Sequence, residues 1–320
     1  MKEGTGRLPW RAPARLMTSG AGGVNALARL FALKPRSDGI VAGRAPAYKP
    51  AMSQRRPHHQ DRRRPGGGRR VPSDRRGESH FIYGFHPVLA ALANPERTVR
   101  RILGTPNAIA RLDEAGASLP VAPEEASPRD LDRLLGGEAV HQGIALEVLP
   151  LEPLPLESLA EARLVVVLDQ VTDPHNTGAI LRSALAFGAD AMLTTSRHAA
   201  AETGVLAKAA SGALDRLPLV TVPNLARALD QLADLGFVRI GLDSEGDVAL
   251  EGALYGDRVA LVLGAEGKGL RRLTRENCDR VARLDMAGPL ASLNVSNAAA
   301  VALYVTRRHL DAAAEPGTPA

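Results

Sequence analysis

Three loops rich in Gly, Ser, Asn and acidic residues each follow an apolar run in this 320-residue sequence. They span residues 169–178, 264–269 and 286–297. Loops of this kind at the carboxyl ends of parallel strands can present many free backbone N–H and C=O groups to one ligand. We therefore treat the three loops together as the candidate site.

The first loop places Asn176 at the entrance of a helix that is predicted over residues 178–187, with Arg182 about one and a half turns further on. A guanidinium group that projects from an otherwise apolar helix at a strand end suits an anionic group such as a phosphodiester. A purely structural reading is also open. In that reading Asp173 and Asn176 cap the helix, and Arg182 pairs with a carboxylate.

The second loop holds Glu266 between Gly264 and Gly267. The segment Gly267-Lys268-Gly269 is not a phosphate-binding P-loop, because it lacks both the four-residue gap and the Lys-Ser/Thr pair. The dinucleotide-binding pattern GxGxxG is also absent from this loop. The loop is therefore predicted to offer a carboxylate and backbone groups in some other arrangement.

The third loop supplies four polar residues ahead of a helix of small residues that is predicted to run from about Val295 to Leu310. Either Ser292 or Asn294 would serve as a simple helix cap. Helix capping accounts for one of the four polar residues but not for the presence of all four. This cluster of polar residues therefore indicates a ligand site. The four residues are Ser292, Asn294, Ser296 and Asn297.

The distribution of apolar residues predicts the strands and helices that hold these loops. Residues 164–168 and 259–263 are continuous apolar runs, typical of parallel strands that are buried on both faces. Strands and helices alternate over residues 163–311, which predicts a doubly wound parallel α/β domain. Upstream, residues 78–150 predict a small α/β domain, followed by a proline-containing linker at 151–162. Residues 312–320 are predicted to form a flexible tail.

Composition narrows the class of protein. Apolar residues make up 45% and aromatic residues only 3%, so the cores must consist of Ala, Leu and Val. The single cysteine, Cys278, excludes an internal disulfide and a cysteine zinc site, and it favours a reducing, cytoplasmic location. No apolar run approaches the ~20 residues of a membrane span, so no membrane partner is predicted.

The charge is unevenly distributed along the chain. Residues 1–76 hold 18 Lys and Arg against 4 Asp and Glu, a net charge of +14, and the remaining residues have a net charge of −9. Residues 1–77 therefore predict a disordered basic extension that binds a polyanion, or alternatively one that only aids solubility. Met52 is an alternative start to Met1, in which case residues 1–51 would be upstream sequence.

The three loops carry, in order, Asn176-(five residues)-Arg182, Gly264-x-Glu266-Gly267 and Ser292-Leu293-Asn294-Val295-Ser296. These motifs closely resemble those of the SpoU (TrmH-like) RNA ribose 2′-O-methyltransferases, and the similarity extends over residues 81–310. Segments 82–88 and 141–143 resemble the family's small RNA-binding domain of ribosomal-protein L30e type. Segments 208–213 and 223–225 are most similar to the branch that methylates a guanosine of 23S rRNA.

The resemblance implies a SPOUT-type fold, in which a parallel sheet is followed by a C-terminal trefoil knot. It implies S-adenosylmethionine as the methyl donor without a metal, RNA as the partner and a homodimer whose interface lies near the site. The cofactor contacts carried over by position are Gly264, Gly267, Leu284, Met286 and Leu293. The catalytic residues carried over are Asn176, Arg182, Glu266, Ser292 and Asn294.

The expected reaction needs a ribose hydroxyl to lose its proton as it attacks a methyl group. The family resemblance casts Arg182 as the base, assisted by an RNA phosphate. Because the pKa of arginine lies above ~12, we favour a role for Arg182 in binding the phosphate and stabilising the developing 2′-oxyanion. Asn176 and Asn294 are expected to orient the ribose and the arginine, while Ser292 and Glu266 shape the pocket.

Two alternatives to a 23S rRNA methyltransferase stay open at this point. The first is the same reaction on a tRNA ribose, because no motif specifies the RNA. The second is a non-catalytic RNA-binding or ribosome-assembly factor that keeps the fold. The presence of every motif residue argues against the second alternative.

Overall fold

The computed structural model describes residues 78–197, 199–289 and 292–314. The predicted basic extension at 1–77 and residues 315–320 of the predicted tail lie outside the described residues. Within the described ranges, no helix combines the length and the apolar character needed to cross a lipid bilayer.

The first part of the described chain forms a four-stranded mixed sheet with three helices. The strand order is β1-β4-β2-β3, and β2–β3 is its parallel pair. Thr105 and Ser127 cap helices α2 and α3, and proline occupies the first turn of each. The elements are β1 (His80–Tyr83), α1 (Phe85–Ala93), β2 (Val99–Gly104), α2 (Pro106–Glu114), β3 (Pro123–Glu125), α3 (Pro128–Leu135) and β4 (Ile144–Val148).

The second part forms a seven-stranded sheet whose strand pairs are all parallel, which confirms the predicted parallel α/β architecture. Its strands are β5 (Leu164–Asp169), β6 (Ala191–Thr195), β7 (Leu219–Val222), β8 (Val238–Leu242), β9 (Val248–Ala249), β10 (Val259–Gly264) and β11 (Arg280–Arg283). Its helices are α4 (Pro174–Ala186), α5 (Gly204–Ala210), α6 (Leu225–Asp234), α7 (Leu250–Ala253), α8 (Arg272–Glu276) and α9 (Val295–Ala314).

The strand order of the large sheet is β7-β6-β5-β10-β8-β11-β9. Strands β5 and β10 lie at its centre and are buried along their whole length. Alternate residues of β5 enter separate cores: Val165 and Val167 pack with the α6 side, whereas Val166 and Leu168 pack with the side of α4 and α9. An unbroken apolar run is therefore needed to cover both faces.

Several boundaries differ from the prediction. Helix α4 begins at Pro174 rather than Gly178, because Asp173 accepts a hydrogen bond from the His175 N–H (3.1 Å) and proline occupies the first position. The last helix continues to Ala314, which includes three residues of the predicted tail. Strand β9 and helix α7 were not predicted, since elements of two and four residues show no measurable periodicity.

The segment predicted as a linker, residues 151–162, packs on the large sheet. A 3₁₀ turn at Leu156–Leu159 buries both of its leucines in the core on the α6 side. Leu154 forms a parallel bridge with Val220 of β7. The small sheet is thereby held close to the large one by an ordered connection.

The small sheet also docks directly on α5. A side chain at Gly204 would place its Cβ 2.5 Å from the carbonyl oxygen of Phe81 in β1, so only glycine allows this approach. The fully buried Arg97 forms ion pairs across the same junction with Glu202 and with Asp215 (Nε–Oδ1 2.7 Å). Two independent features therefore fix the small sheet against the large one.

Candidate active site

A cavity of about 750 Å³ opens at the carboxyl ends of β8, β10 and β11. Its walls come from the loops that follow these three neighbouring strands, together with the first turn of α9. Crevices at the carboxyl ends of parallel strands are the usual ligand sites of open α/β sheets. The lining residues are 242–245, 263–270, 275, 284, 286, 292–295 and 298.

Most of the residues singled out in the sequence meet at this cavity. All five residues carried over as cofactor contacts line it: Gly264, Gly267, Leu284, Met286 and Leu293. Of the residues carried over as catalytic, Glu266, Ser292 and Asn294 also line it. Asn176 reaches the cavity wall through hydrogen bonds, and Arg182 is not among the lining residues.

Glu266 joins the three predicted loops. Its Oε1 accepts hydrogen bonds from Asn176 Nδ2 (3.1 Å) and Asn294 Nδ2 (2.6 Å), and the Val295 N–H lies 3.4 Å away. Asn294 Nδ2 also donates to Asn176 Oδ1 (3.1 Å). One carboxylate oxygen thus holds the first turn of α4, the loop after β10 and the entry to α9 in one cluster.

Asn294 is both a helix cap and a member of this cluster. Its Oδ1 accepts hydrogen bonds from the Ser296 N–H (2.8 Å) and the Ser296 hydroxyl (2.6 Å), while its Nδ2 group bonds to Glu266. Asn176 does not cap α4; Asp173 does, and the Asn176 amide is used across the loops. The structural reading of the sequence therefore holds for Asp173 and in part for Asn294, but not for Asn176.

Arg182 lies on the exposed surface of α4. Within the described residues it forms no salt bridge, so the alternative in which it pairs with a carboxylate is not observed there. It also makes no hydrogen bond to Asn176 or Asn294 in the single chain. The expected orientation of the arginine by these two amides is therefore not observed in this structure.

The loop after β8 was not among the three loops that the sequence analysis singled out. Asp243, Ser244 and Glu245 follow β8 and line the cavity. Burial raises the pKa of Asp243, but hydrogen bonds from the N–H groups of Glu245 and Leu270 and from Arg275 outweigh burial, so this pKa lies below its usual value. The signal was present, because a short polar segment that ends in Gly246 directly follows the apolar strand β8.

Two glycines bring the loop after β10 back onto its own strand. A Cβ at Gly264 would collide with the backbone of Gly269 and lie 2.6 Å from the Leu270 nitrogen. Gly269 has φ +60°, and a Cβ there would lie 2.6 Å from Asp243 Oδ2. The cavity wall is thus formed by closely packed backbone that leaves no room for side chains.

Two family models match the chain, one over the part that forms the small sheet and one over the part that forms the large sheet. Residues 81–154 match the model described as RNA 2′-O ribose methyltransferase substrate binding. Residues 163–304 match the model described as the SpoU rRNA methylase family. Together they cover both sheets and all three motifs.

Curated relatives resemble the chain along most of its length. A tRNA/rRNA methyltransferase of Mycobacterium avium (strain 104), itself uncharacterized, is 38% identical over 262 residues, which cover 78% of this chain and 83% of the relative. A similarly described protein of Mycobacterium tuberculosis (strain ATCC 25177 / H37Ra) is 39% identical over 272 residues, covering 82% of this chain and 84% of the relative.

Solved structures share the fold. The SpoU methyltransferase AviRb from Streptomyces viridochromogenes, in complex with the cofactor AdoMet, matches with a TM-score of 0.59 and 25% identity over 72% of this chain and 90% of AviRb. The AdoMet-bound rRNA methyltransferase from Sinorhizobium meliloti matches with a TM-score of 0.61 and 22% identity over 72% of this chain and 88% of that protein.

Proposed function

The chain belongs to the SpoU family of RNA methyltransferases, and on that premise we propose that it methylates a ribose 2′-hydroxyl of 23S rRNA, at a guanosine. As a member of this family it uses S-adenosylmethionine as its methyl donor. The observation that carries the proposal is the Glu266 cluster, which joins all three motifs beside a cavity of cofactor size. The description of the substrate-binding model supports the 2′-hydroxyl as the acceptor.

The cavity fits S-adenosylmethionine in size and charge. Its volume of about 750 Å³ lies in the range of about 300–1,000 Å³ that is common for small-molecule sites. In its lining the three carboxylates of Asp243, Glu245 and Glu266 outnumber the cations of Lys268 and Arg275, which suits a cofactor with a sulfonium and an ammonium group. Leucines 242, 263, 284 and 293 offer apolar contact for an adenine ring. When bound, this cofactor supplies a methyl group on a positively charged sulfur.

The residues of the chain then have separate tasks in the proposed reaction. Glu266 fixes Asn176 and Asn294, so that the two amide side chains present a rigid edge to the ribose. The exposed guanidinium of Arg182 binds the adjacent RNA phosphate and stabilises the 2′-oxygen as its proton leaves. A guanidinium group does not act as a proton acceptor in proteins, so the proton of the 2′-hydroxyl passes to an oxygen of that phosphate or to water. Ser292 shapes the cavity wall next to Asn294.

We propose a homodimer formed through α4 and α9. Val301 and Tyr304 of α9 are 46% and 54% exposed, although they are large and apolar. The Tyr304 ring contacts the Phe187 ring at the end of α4, edge to face, with a centroid distance of 6.0 Å. A second copy covering this face would bring its own groups towards Arg182 on α4 and complete the site.

The trefoil knot implied by the family is part of the same proposal. Strand β10 lies between β5 and β8, and β11 lies between β8 and β9, although all three flanking strands come earlier in the chain. Late strands inserted between earlier ones require the chain to pass existing connections, and a knot is one such arrangement. The Gly264–Gly269 contact supports a tightly wrapped loop at this place.

The choice of 23S rRNA rests on the resemblance of segments 208–213 and 223–225 to that branch. Lys208 of this region reaches the small sheet, where its Nζ lies 3.2 Å from Gln142 Oε1. The same Gln142 oxygen accepts the Phe85 N–H (3.0 Å). The segment that resembles the 23S rRNA branch thus contacts the part of the chain that is proposed to bind RNA, through Lys208 and Gln142. The relatives' description as tRNA/rRNA methyltransferases keeps tRNA as the second candidate.

The test is methyl transfer from labelled S-adenosylmethionine to protein-free 23S rRNA and to bulk tRNA, with the labelled nucleotide mapped. Label on one 23S guanosine ribose is the expected result. Label on tRNA would retain the reaction and replace the substrate. Cofactor binding without label on either RNA would point to a ribosomal particle as the substrate, and absence of cofactor binding would favour a non-catalytic RNA-binding factor.

Replacing Gly264 with alanine is expected to weaken S-adenosylmethionine binding at least tenfold, because the new methyl group displaces the backbone at Gly269 and Leu270. Isothermal titration with the cofactor measures the effect. Gly236, which lines neither cavity, has open space where a Cβ would lie, although its φ of +82° disfavours other residues. Gly236→Asn, which tolerates this conformation, is therefore the control. Equal affinities in the two variants would refute the close-packing explanation.

A further inference from the structure

A second cavity, of about 520 Å³, opens at the carboxyl ends of β6 and β7 against the start of α8. It adjoins the first cavity at consecutive residues, since Leu270 lines the first and Arg271 lines the second. Both cavities therefore lie along the same edge of the large sheet. The lining residues are Thr195, Arg197, Pro223, Asn224, Leu225, Ala226 and 271–274.

The charge of the second cavity differs from that of the first, where three carboxylates lie beside Lys268 and Arg275. Three arginines line the second cavity, and its described lining contains no Asp or Glu. Arg271 is neutralised by the fully buried Asp169 (Nε–Oδ1 2.6 Å). Among the residues that the structure describes, Arg272 pairs only with the exposed Glu276 (2.6 Å), a kind of ion pair that contributes little. Arg197 is exposed and has no salt bridge within the described part of the chain. Two cations are thus available to an incoming anion.

The uncharged groups of this cavity also suit a polar ligand. Thr195 is 4% exposed, and its hydroxyl has no hydrogen-bond partner among the described residues. A buried hydroxyl without a partner is costly, which favours a ligand or water at this position. Asn224 uses its Oδ1 to cap α6 through the Arg227 N–H (3.3 Å). Its Nδ2 group donates to no described residue and is free to bind a ligand.

Apolar surface completes the lining. Leu225 and Ala226 open α6 on one side, and Leu273, which is 54% exposed, faces solvent from α8. A cavity with available guanidinium groups, amide and hydroxyl donors and apolar patches matches the mixed chemistry of a nucleotide. Arginine is favoured at phosphates because its planar group donates two parallel hydrogen bonds.

We propose that the second cavity binds a nucleotide of the substrate RNA strand through its phosphodiester group, beside the cavity that serves the methyl donor. This inference rests on the proposed function, because it takes RNA as the substrate. Contacts to phosphates set the register of a nucleic acid on a protein without reading its sequence. The second cavity therefore positions the strand while the first motif loop and α9 hold the reacting ribose.

The test compares Arg197→Gln and Arg272→Gln, singly and combined, with Arg216→Gln. Arg216 is exposed and precedes β7, so its variant removes the same charge from the opposite edge of the sheet. The combined variant is expected to bind protein-free 23S rRNA about tenfold more weakly, with the slope of log K against log salt reduced by about one. Affinity for S-adenosylmethionine and the thermal midpoint are expected to match those of Arg216→Gln.

A salt slope and RNA affinity equal to those of Arg216→Gln would overturn the proposal. Saturable binding of inorganic phosphate or guanosine monophosphate, with RNA affinity unaffected in the variants, would identify a small-anion site and overturn it as well. Failure of the wild-type protein to methylate any RNA would count against the proposed function alone. The RNA-binding comparison would still decide the role of the second cavity.

Discussion

Arg182→Ala is expected to lower the rate of methyl transfer by about 10²- to 10³-fold and to leave S-adenosylmethionine binding unchanged. The side chain is exposed on α4 and has no salt bridge within the described residues, so its removal does not disturb the packing. It does not line the cofactor cavity either. The whole effect should therefore appear in the chemical step and in RNA affinity.

Single-turnover methyl transfer with saturating RNA measures this effect, and titration with the cofactor tests its specificity. Arg182→Lys keeps the charge but loses the planar pair of donors, so an intermediate rate is expected. Arg216→Ala, which removes an exposed arginine from the amino edge of the sheet, should behave as wild type. Near-normal turnover of Arg182→Ala would exclude this arginine from the reaction.

Glu266→Ala is expected to lower kcat/KM by about 10²-fold and to weaken cofactor binding, because it separates the three loops that line or adjoin the cavity. The substitution leaves Asn176 Nδ2 and Asn294 Nδ2 without their shared acceptor. Unpaired amide groups then reorient towards other partners or water, and the ribose edge loses its rigidity. Activity and cofactor titration together report the loss.

Glu266→Gln is the matched control, because its carbonyl oxygen can still accept both amide hydrogen bonds. We expect it to retain much more activity than Glu266→Ala. The double variant Glu266→Ala/Asn294→Ala should be little worse than either single variant, since the residues act as a unit. Additive losses would mean that Glu266 and Asn294 act independently and that the cluster is not a positioning device.

The local pattern of the chain predicted the elements around the site well. Residues 164–168 and 259–263 are the central strands, because unbroken apolar runs suit burial on two faces. Helix α4 begins at Pro174 after the cap residue Asp173, whereas the prediction placed its start four residues later, at Gly178. The loop after β8 was overlooked because Asp243 has no partner in the motif pattern and becomes relevant only beside β10.

The order of the strands in the large sheet could not be predicted from the local sequence pattern. Each strand of the large sheet is apolar enough to occupy several positions, and the insertion of β10 between β5 and β8 is decided by how the completed layers pack. The docking of the small sheet on the large one could not be predicted from the local pattern either. It depends on the close approach of Gly204 to Phe81 and on the burial of Arg97 with Asp215, neither of which has a local signal.

From the sequence alone, the motifs and their resemblance to the SpoU family predicted which residues to expect at the site. Apolar periodicity and helix capping, which act over a few residues, predicted most of the elements that carry them. Only the tertiary structure decided that Asn176 and Asn294, 118 positions apart, meet at Glu266, and that a second cationic cavity adjoins the first. Contacts of this range arise from the packing of whole layers, whose free energy depends on all the elements together.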